Sequence, residues 1–295
     1  MKVIKPTAFD ATTQLVSTTA TDPTPAWSSA TTYALAARVV FLHTIYESLV
    51  ASNVNKNPAA SPDAWLAIGP DNPNAMFDGQ VSTATTATNS LSVTMRTRLA
   101  NSLALLGLVG SSVTVTVRDG LGGPVVYNKT FSLDGSFVYD YYMYVYEPNV
   151  QIGELVLTDL PPYTSAHTTI AMTGAGAVEI GQAASGTFYD LGSAEYGATA
   201  GITDYSRKET DEFGNTTFVQ RAYSKRMSAR LMLNNGQMNK VQRVLSDLRA
   251  TPAVWIGADS PEYLPLVVFG FYRDFNIEVS YPTYSYCSLD IEGLI

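Results

Sequence analysis

Residues 112–118 read SVTVTVR, and this stretch indicates a β fold. Valine and threonine alternate, so in an extended chain the three valines share one face and the two threonines share the other. A period of two is typical of a strand with one buried and one solvated face, and β-branched residues favour it. The loop-forming sequence DGLGGP at residues 119–124 then ends the strand.

The same rhythm of short apolar stretches and turns continues through the middle of the chain. We predict further strands at residues 125–131, 153–158 and 167–172, and a glycine-rich turn at residues 174–176. Short strands at this spacing, without a helical period between them, predict a β-sandwich.

The C-terminal part of the chain combines strands with one helix. Apolar residues at positions 238, 241, 245 and 248 are spaced three, four and three apart, which predicts a helix over residues 237–249 with one apolar stripe. Asn234 and Asn235 are candidate caps for it. Strands are predicted at residues 253–256, 266–271, 275–280 and 286–291.

These patterns predict a mainly β protein in four parts. The expected parts are an N-terminal arm with a stiff linker (residues 1–25), a small β domain (residues 26–70), a jelly-roll-like β-sandwich (residues 75–203) and a C-terminal β domain with one α-helix (residues 204–295). We find no internal repeat.

Composition and charge restrict the partners that the chain can have. Only 15% of its residues are charged, the net charge is -8, and the one basic cluster lies within residues 221–230, so nucleic-acid binding is not expected. The single cysteine, Cys287, excludes an intramolecular disulfide and a cysteine-based zinc site. No signal peptide is visible, and the longest apolar stretch, residues 99–109, is too short to span a membrane. We therefore expect synthesis in the cytoplasm and no membrane insertion.

Signatures of catalysis are missing from the sequence. The two histidines, His43 and His167, lie in no metal-binding or triad motif, and there is no nucleophile elbow. We therefore expect no enzyme activity, no catalytic residue, no metal site and no cofactor. Carboxylate pairs keep a glycan-degrading enzyme as an alternative, because a glycosidase needs only two carboxylates. The pairs are Asp211 with Glu212, Asp190 with Glu195, and Asp259 with Glu262.

Tyrosine is abundant, with 18 copies, and it concentrates in the run YDYYMYVY at residues 139–146. If this run is a strand, Tyr142, Tyr144 and Tyr146 share one face. Rigid, amphipathic tyrosine faces suit a subunit interface or a platform for sugars. The alternative is that these rings simply cover the core of the sandwich.

Aromatic residues also mark residues 27–69. The pattern consists of Trp27, Tyr33, Arg38-Val39-Val40, Tyr46-Glu47-Ser48, Asn57-Pro58 and Trp65. In this order the segment resembles the small chitin-binding-like carbohydrate-binding modules, which implies a small β domain with Trp27, Tyr33, Tyr46 and Trp65 as candidate sugar contacts. The alternative is that these rings form the core of a domain too small to have another, and for Trp65 we favour that alternative.

The segment also departs from the pattern of these modules at two places. Family members often carry Gly-Asp where this chain has Ala36-Ala37, and a turn Asn-Gly where it has Leu42-His43. The exposure of aromatic rings depends on turn geometry, so these departures concern sugar binding more than the fold.

Two further resemblances concern the rest of the chain. Through residues 103–117 and 125–133 the middle segment resembles galactose-binding-like jelly-roll sandwiches. Through YSRK at 205–208, RAYSKR at 221–226, LRATPAVW at 248–255 and SLDIEGL at 288–294 the last segment is similar to tail proteins of long-tailed phages. AMFDG at residues 75–79 also often follows such a carbohydrate module in phage structural proteins.

The resemblances imply a virion structural protein of a phage tail tip or baseplate. Its expected partners are other phage tail proteins, further copies of itself in trimers or hexamers, and, weakly, glycans of the host cell surface. Two alternatives remain: a stand-alone carbohydrate-binding protein, and a glycan-degrading enzyme with an appended binding module.

Overall fold

The chain is mainly β, as the sequence predicts, in a computed structural model that describes residues 1–136, 139–146, 150–210, 212–258 and 261–294. The elements of the first half are β1 (Lys2–Pro6), α1 (Ala11–Gln14), β2 (Leu15–Thr18), β3 (Thr32–Tyr33), β4 (Arg38–Phe41), β5 (Thr44–Ser48), β6 (Asn53–Val54), β7 (Trp65–Pro70), β8 (Thr85–Arg96), β9 (Ser102–Val109), β10 (Ser112–Asp119), β11 (Val125–Ser132) and α2 (Tyr141–Tyr146).

The second half continues the same architecture, with one longer helix. Its elements are β12 (Glu154–Leu157), β13 (Ala166–Asp190), β14 (Ser193–Ala194), β15 (Thr199–Asp204), β16 (Arg207–Thr210), β17 (Thr216–Val219), β18 (Tyr223–Asn234), α3 (Met238–Asp247), β19 (Ala253–Ile256), β20 (Val267–Glu278) and β21 (Tyr284–Gly293). Short 3₁₀ turns lie at Asn72–Phe77, Asn235–Gln237 and Pro261–Leu266.

The long strand β13 organises a 14-stranded sheet. Its N-terminal part pairs with β10 and β8, whereas its C-terminal part pairs with β9 and β1. The register with β8 shifts between Thr173 and Ala177, where Gly176 has a φ of 102°. The turn predicted at residues 174–176 is therefore wrong. The glycines form an irregularity within one strand, which lets the strand bend without ending.

The bend folds the sheet over a shared core. One apolar cluster contains side chains from both parts of β13, such as Ile170 and Ile180, together with the valines of β10 and three of the four leucines of β9. In β10 the three valines are at most 1% exposed, and the threonines between them are only partly buried. The alternation at residues 112–118 therefore correctly predicts which face enters the core.

The first strand lies in the middle of the sheet. β1 pairs with β13 on one side and β19 on the other, and Val3 and Ile4 are fully buried. Residues predicted to form an arm thus join the two halves of the sheet. Met1-Lys2-Val3-Ile4 is too short to show a clear period, so its central position depends on long-range pairing.

The C-terminal strands and α3 form a second core. The antiparallel order β19-β20-β21-β18 is covered by α3, whose Val241 and Leu245 are buried beside Trp255. The predicted helix is confirmed, and the Asn234 side chain accepts a hydrogen bond from Gly236 N (2.9 Å) in the 3₁₀ turn before it. The strands predicted at residues 266–271 and 275–280 are one strand, β20, with an irregularity between Tyr272 and Asp274.

A small module is inserted in the chain between β2 and β8 of the large sheet. Its strands form a pair, β3-β6, and a three-stranded sheet, β4-β5-β7, both separate from the 14-stranded sheet. The module has its own apolar core around Tyr33, Val39, Ala64 and Trp65. Asp22 ties it to the 3₁₀ turn that follows, because its carboxylate accepts a hydrogen bond from Asn72 N (2.8 Å).

Candidate functional site

A cleft of about 1000 Å³ opens where the two ends of the sheet approach each other. The pairings give the strand order β12-β9-β13-β1-β19-β20-β21-β18-β15, and residues of β12 and of β15 line the same cleft. Among the described residues, β12 pairs only with β9, and β15 only with β18. The residues that line the cleft include Leu106, Glu154, Ile202, Tyr223, Lys225, Phe269 and Leu294.

Glu154 and Lys225 form an ion pair across this gap. The Lys225 ammonium donates to Glu154 Oε1, and the side chains are only 16% and 33% exposed for Glu154 and Lys225, respectively. Glu154 Oε2 is buried and has no hydrogen-bond partner in the described part of the chain. Burial raises the pKa of Glu154, and the neighbouring Lys225 charge acts in the opposite direction. The cleft therefore combines apolar walls with one buried acceptor that lacks a donor.

These two residues are hard to find in the sequence. Lys225 is visible only as a member of the basic cluster at residues 221–230, and Glu154 begins an ordinary apolar strand, ELVL. The two are 71 positions apart, so only the curvature of the sheet brings them together. The one available signal is a glutamate at the start of a strand that is otherwise apolar.

A two-stranded arm projects beside the cleft. It consists of β16 and β17, and the described residues from 205 to 223 are all exposed, including Phe218 at 74%. The arm continues the ribbon of β15 and β18, because Tyr205 N donates to Ala222 O (3.3 Å) and Arg221 N donates to Ser206 Oγ (3.0 Å). Such a hairpin is marginally stable alone and presents open strand edges.

Two of the four candidate sugar contacts belong to the core of the small module. Trp65 is 2% exposed and Tyr33 is 8% exposed, and their rings meet edge to face at 5.3 Å between centroids. Trp65 Nε1 donates to Lys56 O (3.0 Å), and Tyr33 Oη accepts from Ser28 N (2.7 Å). Neither ring offers a free face on which a pyranose could stack.

The other two candidates keep part of their surface. Trp27 and Tyr46 are half-buried against the same core, and Trp27 meets Phe41 edge to face at 5.4 Å. Trp27 Nε1 is buried without a hydrogen-bond partner among the described residues. Any stacking surface that these candidates provide therefore belongs to Trp27 and Tyr46.

The backbone keeps an unusual conformation where the segment departs from the carbohydrate-module pattern. Ala36 has a φ of 62°, and Leu42 and His43, which join β4 to β5, have φ values of 47° and 63°. Positive φ favours glycine and asparagine, and two such residues in succession form the common hairpin turn. The turns therefore persist although their preferred residues are missing.

The tyrosine run is helical rather than extended, so the predicted alternation is wrong. In α2 the rings of Tyr142 and Tyr146, four residues apart, lie 4.9 Å from each other and are 67% and 70% exposed. Asp140 starts the helix, because its carboxylate accepts from Met143 N (2.7 Å). The side chain of Tyr144 lies outside the described part of the structure. The pair Tyr142–Tyr146 is an exposed aromatic patch.

Where the structure describes them, the residues considered for catalysis make separate contacts. Asp190 accepts a hydrogen bond from Gly192 N (2.9 Å), whereas Glu195 lies 3.8 Å from the Arg230 guanidinium. Asp211 and Asp259, which belong to the other two pairs, lie outside the described residues. His43 contacts Asn74 (3.1 Å), and His167 Nδ1 lies 2.7 Å from Ser165 O.

No group of three or more histidine, cysteine, aspartate or glutamate side chains could hold a metal within the described ranges. In the same ranges, none of the helices has the length and apolar character needed to cross a membrane. Neither a comparison with known protein families nor a search of characterised proteins found a match for this chain.

Proposed function

We propose that this chain is a structural subunit of a larger protein assembly, and that the assembly is the tail tip or baseplate of a phage. The exposed β16–β17 arm is the observation that carries the assembly role. Its apolar side chains, such as Phe218 and Val219, are solvated in the single chain, and within the described residues its two strands pair only with each other. Contact with a neighbouring subunit would remove both from water.

The placement in a phage tail rests on the resemblance of the last segment. Part of that resemblance, YSRK and RAYSKR, lies at the two ends of the arm, where the chain leaves and re-enters the large sheet. The Tyr142–Tyr146 patch provides a second surface of interface character. We expect assemblies with three or six copies, the symmetry of virion tails.

The small module has a secondary role in this proposal. Its core uses Tyr33 and Trp65, so a glycan of the host surface would contact only the remaining faces of Trp27 and Tyr46. A shallow site of this kind gives single-site dissociation constants of roughly 1 mM, and many copies on one tail raise the avidity.

Antibody labelling of virions tests the proposal directly. A serum against this chain should decorate the distal end of the tail in negative-stain images, at a copy number divisible by three. Labelling of purified host cell envelopes in the absence of virions is the control. A virion preparation that contains no copy of the chain, by labelling and by mass spectrometry, would contradict the proposal.

A further inference from the structure

We infer that the cleft between β12 and β15 receives the β16–β17 arm of a second copy of this chain. The inference deepens the proposed assembly role, on which it rests, by naming both surfaces of one contact. The two surfaces are different patches of the same chain, and they complement each other in open strand edges, hydrogen bonding and apolar character.

The arm does not occupy the cleft of its own chain. Residues 207–219 are absent from the cleft lining in the described structure, and those with described positions are exposed. Ile202 and Tyr223 stand at the base of the ribbon and line the lip of the cleft. The ribbon continues outward from them through the pairs Asp204–Tyr223 and Arg207–Val219, so folding back would break this ladder.

Both the cleft and the arm have strands with an open edge. Within the described residues, β12 and β15 each have one side without a strand partner, and both border the cleft. In the same residues, β16 and β17 pair only with each other, so each also has an open side. Adding a strand to an open edge is a common mode of peptide recognition, because backbone hydrogen bonds supply much of the affinity.

The apolar side chains of the arm also suit the apolar walls of the cleft. Phe218 shares one face of the arm with Thr216, since alternate residues of a strand point the same way. The walls of the cleft include Leu106, Phe269 and Leu294, which suit an aromatic ring. A ring that enters the cleft exchanges water for apolar contacts.

The buried oxygen of Glu154 selects a neutral donor. Lys225 already balances the charge of Glu154, so a second cation would meet the ammonium of Lys225. A backbone N–H or a threonine hydroxyl satisfies Oε2 without that repulsion. The arm offers both, because Thr210, Thr216 and Thr217 flank its tip.

A contact between an arm and a cleft is head-to-tail, so each copy donates one arm and accepts another. Repetition of such a contact gives a closed ring when the rotation closes, and a filament when it does not. A ring of three or six copies agrees with the proposed position in a tail.

Disulfide trapping between differently tagged copies tests the contact. Thr216→Cys on one copy, mixed with Ile202→Cys on another, should form a mixed disulfide under mild oxidation, because Thr216 shares the arm face of Phe218 and its replacement leaves that ring in place. The matched control mixes Thr216→Cys with Leu121→Cys, whose position is 70% exposed in the turn after β10. Cys287 is fully buried and stays in place. We expect at least tenfold more mixed disulfide at Ile202 than at Leu121; equal yields would overturn the inference.

A second measurement does not need cysteines. Phe218→Ser should raise the concentration for half-assembly by about tenfold to a hundredfold, the factor that corresponds to burying one phenylalanine ring. Leu121→Ser, which removes an equally exposed apolar side chain, should leave it unchanged. An unchanged value for Phe218→Ser, or a wild-type chain that stays monomeric throughout, overturns the inference. The proposed function is judged separately, by virion labelling.

Discussion

Removing the Lys225 ammonium should leave the Glu154 carboxylate buried in the wall of the cleft without its charge partner. In Lys225→Met the apolar part of the side chain is retained, while Glu154, with its side chain 16% exposed, loses its only described donor. Breaking one side of a buried ion pair costs about 3–5 kcal/mol. Because Lys225 itself is 33% exposed and partly screened, we take the lower end. We therefore expect the free energy of unfolding to fall by about 3 kcal/mol at pH 8.

The loss should depend on pH with a definite sign. Burial raises the pKa of Glu154 in the folded chain, so its folded form holds a proton where the unfolded form has released it. Such a group destabilises the fold as pH rises from its unfolded pKa through its folded pKa. Without Lys225 to oppose the shift, this effect grows. At pH 5, close to the unfolded pKa of about 4.3, the loss should shrink to about 1 kcal/mol.

Urea unfolding at pH 5 and pH 8, followed by tryptophan fluorescence, measures this difference. The double variant Glu154→Gln/Lys225→Met is the matched control, because it removes the same ammonium but leaves no carboxylate to ionise. Its stability relative to wild type should vary little between the two pH values. If the free energy of unfolding of Lys225→Met falls by the same amount at both pH values, the loss comes from packing of the lysine side chain. The unpaired Glu154 carboxylate is then not its cause.

Three further predictions concern other parts of the chain. Ala36→Gly should stabilise the small module by about 1 kcal/mol in thermal unfolding, because Ala36 has positive φ, whereas Ala34→Gly, without positive φ, should destabilise it by about 0.5–1 kcal/mol. Trp65→Ala should lower the free energy of unfolding by about 3–5 kcal/mol and unfold the module, which would be seen as a loss of NMR chemical-shift dispersion. A variant whose module stays folded would contradict the assignment of Trp65 to the core. Cys287 should react with a thiol reagent about a hundredfold more slowly in the native chain at pH 8 than in urea, because burial raises its pKa to about 11; equal rates would contradict this.

Local periods in the sequence predict the regular elements well. The alternation at residues 112–118 correctly assigns the buried face of β10, and the three-four-three spacing of α3 correctly places Val241 and Leu245 in the core. In both cases one face of the element is buried and the other is solvated. A single period therefore carries the whole signal.

Features that depend on distant pairing are not visible in the sequence. β1 is central because β13 and β19 flank it, and the Glu154–Lys225 pair exists because the sheet curves. The tyrosine run shows a different failure: its aromatic content suits a strand, but the Asp140 cap and the contact between Tyr142 and Tyr146 accompany a helical turn. In this short segment, a local cap and a contact between side chains four residues apart outweigh the strand propensity of tyrosine.

The position of β1 also connects folding with assembly. Ile4 packs in a cluster that includes Leu106 of β9 and Phe269 of β20, and these last two residues line the cleft. The strands that supply them belong to opposite halves of the sheet and become neighbours only when β1 pairs with both β13 and β19. The proposed receiving surface is therefore complete only in a fully folded chain. Under the proposed contact, a subunit that has not joined its two halves therefore lacks the surface that receives the next copy.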